Sequence, residues 1–148
     1  MNISRKKRVK AALEEATRHL KPDNNFNWGM NSNIARAERL AKKSHSKATK
    51  AAFEEGLTKI SAATLEYAES WIRQGDGFFT NQFNANNNIV IAEQLAEKAP
   101  SEAMRTVMRD GLAKIFTAAS QQAKPGNCMA ALVQSVKRKL DVYQAAMG

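Results

Sequence analysis

Proline and glycine are scarce in this chain, three and seven among 148 residues, and no run of alternating β-branched residues occurs. With Ala, Glu, Lys, Leu and Gln abundant, helix is the expected state nearly everywhere, and no strand is expected. Cysteine occurs once, at Cys128. That excludes an internal disulfide, and the residue lacks the spaced partners of a zinc site, so a buried or incidental thiol is expected. No segment approaches the roughly 18 apolar residues of a membrane helix. The basic start has no apolar stretch behind it, unlike a secretory signal, so a cytoplasmic location without membrane insertion is expected. A domain of this size buries about 68–70% of its unfolded surface, enough for residues 1–148 to fold as one unit.

Groups for chemistry are equally sparse. His19 falls on a helix without an evident acidic or thiol partner, and His45 lies in a turn whose later equivalent carries Pro100. Neither a Gly-rich phosphate loop nor a nucleophile elbow is present. We therefore expect a non-enzymatic protein without metal or cofactor.

What the chain does contain is a copy of itself. Residues 31–64 align with 86–119 at a constant offset of 55, without a gap and with 15 identities in 34 positions, where chance gives roughly 2. The expected architecture is all-α, with about six helices: a short and a long helix, each occurring twice, between flanking N- and C-terminal helices. The first runs from Ser4 to about Lys21, with Val9, Leu13, Ala16 and Leu20 inward. A short helix from about Asn33 to Lys43 buries Ile34, Ala37, Leu40 and Ala41. Ser46 caps a long helix to about Arg73, roughly 40 Å at 1.5 Å per residue, with Phe53, Leu57, Ile60, Thr64, Tyr67 and Trp71 inward and Gly75-Asp76-Gly77 ending it. The second copy repeats this with a short helix from about Asn88 to Lys98 and a cap at Ser101. Its long helix carries Met104, Met108, Leu112, Ile115 and Ala119 until Lys124-Pro125-Gly126. A last helix aligns Leu132 or Val133, Val136, Leu140, Tyr143 and Met147, either to complete the core or to face a second copy in a homodimer. Weaker similarity of Leu13-Glu14 and Ala16 to Leu65-Glu66 and Ala68, and of Phe26 to Phe78, describes a fused helical pair resembling a short solenoid.

Positions kept in both copies point to the fold. Gly56 and Gly111 each cost a helix about 1 kcal/mol relative to alanine, which the close approach of a neighbour, or a bend, would explain. Glu55 with Lys59 and Asp110 with Lys114 are i,i+4 pairs on a solvated face. Asparagines gather in the loops expected before both short helices: Asn24, Asn25, Asn27, Asn31 and Asn33, then Asn81, Asn84, Asn86, Asn87 and Asn88. Capping and left-handed turns account for them. Trp28 and Phe83 match across the copies and are expected to pack on the next helical turn as a staple, with base stacking as the other reading.

The formal charge of +9 is concentrated at one end. Between Arg5 and Lys50 stand 13 Lys or Arg against 4 acids, so the rest of the chain is neutral overall. Arg36, Arg39, Lys42 and Lys47 correspond to Ile91, Gln94, Glu97 and Glu102, giving residues 36–50 a net +5 and residues 91–105 a net −1. Either copy one binds an anion, or a solvated face has drifted. Arg5-Lys6-Lys7-Arg8 crowds cations at the positive end of a helix dipole, which an anionic partner would relieve. Leu40-Ala41-Lys42-Lys43, a brief turn and Ser46-Lys47-Ala48-Thr49 look like part of a helix-turn-helix. That stretch lacks the turn glycine and runs into a helix far longer than a recognition helix, which favours backbone contact over base readout. The expected binding residues are Arg5, Lys6, Lys7, Arg8, Arg36, Arg39, Lys42, Lys43, Lys47 and Lys50. Their expected partner is nucleic acid, bare or in a nucleoprotein complex. The competing reading is a protein-interaction module, an adaptor, inhibitor or assembly factor, that docks an acidic protein surface.

Overall fold

Four of the helix starts are fixed by one polar side chain each. The Ser4, Ser46 and Ser101 hydroxyls accept from the backbone N–H of Lys7, Thr49 and Met104, and Asn27 Oδ1 accepts from that of Met30. Such caps satisfy donors that the first turn leaves without partners. The computed structural model describes residues 4–75, 78–124 and 129–147. Among these the chain is all-helical: α1 (Arg5–Arg18), α2 (Trp28–Lys42), α3 (Lys47–Gln74), α4 (Phe78–Lys98), α5 (Glu102–Gln122) and α6 (Met129–Met147). None of the helices, among the described residues, is long and apolar enough to cross a membrane.

The helices form three antiparallel pairs in a row: α2 packs mainly on α1, α4 on α3 and α6 on α5. Neighbouring pairs join through α1, α3 and α5, which run parallel. Leu13 of α1 lies against Gly56 of α3, and Leu65 of α3 lies against Gly111 of α5. The two glycines therefore answer to close helix approach. A Cβ at Gly111 would sit 2.9 Å from Leu65 Cβ, and one at Gly56 would sit 3.1 Å from Leu13 Cβ. Both are too tight for an unperturbed core.

α3, with 28 residues, serves two pairs and changes its buried face on the way. Phe53, Leu57, Ile60 and Thr64 are buried as the spacing predicts, but Tyr67 and Trp71 are only half-buried. Leu65, Ala68 and Ile72 replace them in the core, because the second half of α3 packs on α4 and α5 instead of α1. In α6, Leu132, Val136 and Leu140 are buried, so its apolar stripe completes the core against α5. The expected breaks at Asp76-Gly77 and Pro125-Gly126, and Cys128, lie outside the described residues; Gly75 closes α3 in the left-handed region, at φ 77°.

Three boundaries differ from expectation. α1 stops at Arg18, α2 begins at Trp28 rather than Asn33, and α4 begins at Phe78 rather than Asn88. The second asparagine-rich stretch is therefore helix, not loop. Asparagine is a poor helix former because its amide competes for the backbone, but buried Asn84 and Asn88 find partners that offset the penalty. The pairing of Asp110 also differs, since its carboxylate takes Arg109 at 3.1 Å, whereas Glu55 and Lys59 pair at 3.2 Å as expected.

Gly111→Ala gains about 1 kcal/mol of helix propensity but loses about 1–3 kcal/mol to overpacking against Leu65. It should lower the unfolding free energy, and in a Leu65→Ala background, which removes Cγ and Cδ1 but keeps the Cβ at 2.9 Å, the loss should shrink without reversing; urea melts of the four proteins check the coupling. Ser61 Oγ is fully buried with no hydrogen-bond partner among the described residues. Ser61→Ala removes that desolvated hydroxyl and should stabilise the protein by about 1 kcal/mol, seen as a higher urea midpoint at unchanged slope.

Candidate nucleic-acid interface

Because α1 and α3 are parallel and α2 returns between them, the starts of α1 and α3 share one end of the molecule with the finish of α2. One contact ties that corner together. Arg5 Nη1 donates to the Lys43 carbonyl at 2.5 Å, across 38 residues of sequence. The guanidinium thus meets the negative end of the α2 dipole, which offsets for Arg5 the cost of standing at the α1 N-terminus. The bond brings the first turn of α1, around which Arg5, Lys6, Lys7 and Arg8 fan at about 100° steps, to the end of α2 at Lys43, with Lys47 and Lys50 following in the first turn of α3. All seven side chains are exposed. No carboxylate lies within 4.0 Å of their charged nitrogens among the described residues.

Arg36 and Arg39 extend this charge along α2. With Lys43 they occupy the side facing away from buried Met30, Ile34, Ala37 and Ala41, and Arg36 Nη2 donates to Asn33 Oδ1 at 3.0 Å. Lys42 stands apart. It turns toward α4 and lies 3.8 Å from Glu38, whose carboxylate also holds Lys98 of α4 at 3.1 Å, so its charge is partly neutralised. The contrast between the copies has a structural component too. Ile91, Gln94 and Lys98 line a cleft against Asn31, Ile34 and Ala35 of α2. The corresponding side of α2 is the end of the row, where among the described residues no further helix covers the exposed Arg36, Arg39 and Lys43, and an uncovered end face must be polar.

The expected staple is not formed. Trp28 is 81% exposed and Phe83 61%, and Phe26, two residues before Trp28, is 90% exposed. With Asn27 as cap, Trp28 becomes the first helical residue, and the spacing Trp28, Ser32, Ala35, Arg39 puts its ring on the outward stripe of α2. Reading the helix start at Asn27 instead of Asn33 would have found this. Phe26 adopts φ 53°, a left-handed conformation unfavourable for a residue with a Cβ. The Trp28 N–H donates to the Phe26 carbonyl at 2.9 Å.

Buried asparagines hold this segment in place. Asn27 Nδ2 donates to the His19 carbonyl at 2.6 Å and to Asn24 Oδ1 at 3.0 Å, and Asn24 Nδ2 donates to Asn88 Oδ1 at 2.7 Å. Asn88 Nδ2 donates to the carbonyls of Pro22 and Asn84, each at 2.9 Å, and Trp71 Nε1 reaches the Pro22 carbonyl at 2.8 Å. The loop before α2 is thereby pinned to α3 and α4, with Asn24, Asn27, Asn84 and Asn88 all buried.

Other ionisable groups bind elements to one another. His19 has an acidic neighbour after all, Glu15 at 3.5 Å, and its ring covers Gly29. Lys139 of α6 meets Glu93 of α4 at 2.7 Å. Burial, and then the Glu93 and Glu97 carboxylates, raise the Tyr143 hydroxyl above its ordinary pKa. Among the described residues no group of three or more His, Cys, Asp or Glu is placed to hold a metal ion. No family model matches the chain, and neither a curated protein nor a solved structure shows significant similarity to it.

Asn88→Ala removes the acceptor for Asn24 and a donor to Pro22, leaving buried polar groups without partners. It should cost about 2–3 kcal/mol and speed amide exchange across residues 20–27 more than in α5, measured by hydrogen exchange with mass spectrometry.

Proposed function

We propose that this protein is a non-enzymatic, cytoplasmic binding protein that grips a nucleic-acid backbone, bare or within a nucleoprotein complex, through the corner where α1, α2 and α3 meet. The observation that carries this reading is the Arg5–Lys43 bond, which merges two basic clusters distant in sequence into one field. Exposed, unneutralised cations beside two helix N-termini attract polyanions, and phosphates that replace their counterions release salt. Lys42, shared with Glu38, contributes least. The length of α3 and the exposure of Lys47 and Lys50 favour backbone contact over a helix inserted for base readout.

Binding of a generic oligonucleotide at about 50 mM salt should fall by roughly a thousandfold on raising salt to about 200 mM, as expected for about six phosphate contacts. The double variant Arg36→Ile, Lys47→Glu should weaken binding and flatten the salt slope while leaving the circular dichroism spectrum and melting temperature unchanged. Undetectable binding at about 50 mM salt, or binding indifferent to the double variant, overturns the proposal. In that case a stoichiometric, nuclease-resistant protein partner would support the acidic-surface reading.

A further inference from the structure

Phe26, Trp28 and Phe83 present their rings to solvent, and the core makes no use of them. We infer, resting on the nucleic-acid reading above, that the ligand is single-stranded, with bases stacked on Phe26 and Trp28 and phosphates led along Arg36, Arg39 and Lys43. Single exposed apolar side chains are ordinary, but Phe26 and Trp28, two residues apart and both almost fully exposed, form an aromatic patch of the kind that marks a contact surface. Phe26 is held at φ 53°, a conformation that an asparagine or glycine would tolerate better, so the position carries a ring at a conformational cost.

The placement relative to charge selects the partner. Trp28 and Arg39 share the outward stripe of α2, with Arg36 and Lys43 beside it. From Trp28 to Lys43 the helix advances roughly 22 Å, which suits the low end of the 4–16-nucleotide sites of single-strand binders. The one acid of α2, Glu38, points to Lys42 and Lys98 instead, so no carboxylate on the stripe repels phosphate. Every base has a stacking face, which makes aromatic platforms tolerant of sequence, whereas the bases of an intact duplex are already stacked and closed to a ring on a convex helix. A protein partner for the same rings would call for an apolar surround, but the residues next to Trp28 on α2 are Asn31 and Ser32, with Ala35 a turn further and Arg36 and Arg39 beyond it. Asn25, bonded to Asn84 at 3.5 Å, ties the loop carrying Phe26 to the turn of α4 carrying Phe83.

The test compares an oligothymidylate strand with a duplex of equal length, by fluorescence anisotropy of labelled probes at about 50 mM salt. Wild type should prefer the strand. Trp28→Ala and Phe26→Ala should each weaken strand binding roughly tenfold, as loss of one stacked base does, with duplex binding changed less than twofold and melting temperature unchanged. Strand binding should also quench tryptophan emission, and Trp28→Ala should remove most of the quench, because Trp71, the other tryptophan, is half-buried and lies on α3 away from the α2 stripe. If both aromatic variants bind the strand like wild type while Arg36→Ile, Lys47→Glu still weakens both probes, the stacking inference fails and the backbone reading stands. If wild type binds neither probe, both fall. Equal affinity of wild type for strand and duplex likewise overturns the preference.

Discussion

The spacing of three parallel helices rests on two leucine-to-glycine contacts. Leu13 fills the place that a side chain on Gly56 would take, and Leu65 does the same at Gly111. Each contact lets α3 approach its neighbour closely enough for one helix to serve two antiparallel pairs, and that sharing fixes the rest. It forces the buried stripe of α3 to shift between Thr64 and Leu65. It also places the starts of α1 and α3 at one end, where Arg5 can reach the finish of α2. Were α1 held further out by a side chain at residue 56, the basic corner would lose its geometry together with the core its packing.

The asparagine network is the second constraint, and it is polar where the first is apolar. Asn24, Asn27 and Asn88 satisfy one another and the carbonyls of His19 and Pro22 within a buried seam. A buried amide without partners is costly, so the network tolerates few alternative arrangements. This rigidity reaches the surface. By pinning the loop it starts α2 at Asn27, sets the register that turns Trp28 outward, and holds Phe26 in a strained conformation beside it.

Position in the row explains why one of two similar segments has a polar outer side where the other has a partly covered one. α4 lies between neighbours: Ile91 sits in the cleft against α2, and Glu93 pairs with Lys139 of α6. Among the described residues, α2 has helical neighbours on one side only. Its other side faces water and carries Arg36, Arg39 and Lys43, residues that could not be buried without partners. The end face thus had to be polar. That the charges it carries are all cationic, and that Arg5 joins them at Lys43, is what the row alone does not require.

Local chemistry made much of this legible from the chain itself. Serines at 4, 46 and 101 mark helix starts because a hydroxyl at that position satisfies a free N–H. The 3/4 spacing in α1, α5 and α6 selects their buried stripes, matched glycines announce close packing, and the count of Lys and Arg places the field at one end. Other features depend on contacts between residues far apart in sequence. Asn81 to Asn88 look like loop because asparagine favours turns locally, whereas within the helix Asn84 is buried and Asn88 is buried and bonded to Asn24 and Pro22. Trp28 and Phe83 look like core because they are large and apolar, and only the helix register set by that same seam turns them to solvent. Lys42 is indistinguishable from Lys43 in composition, yet Glu38 and α4 claim it. That helices form, and where charge accumulates, was written into the residues, since propensity, capping and ionisation are properties of short stretches. Which faces those helices show to one another and to water came from packing, because burial and hydrogen-bond satisfaction are settled only when distant segments meet.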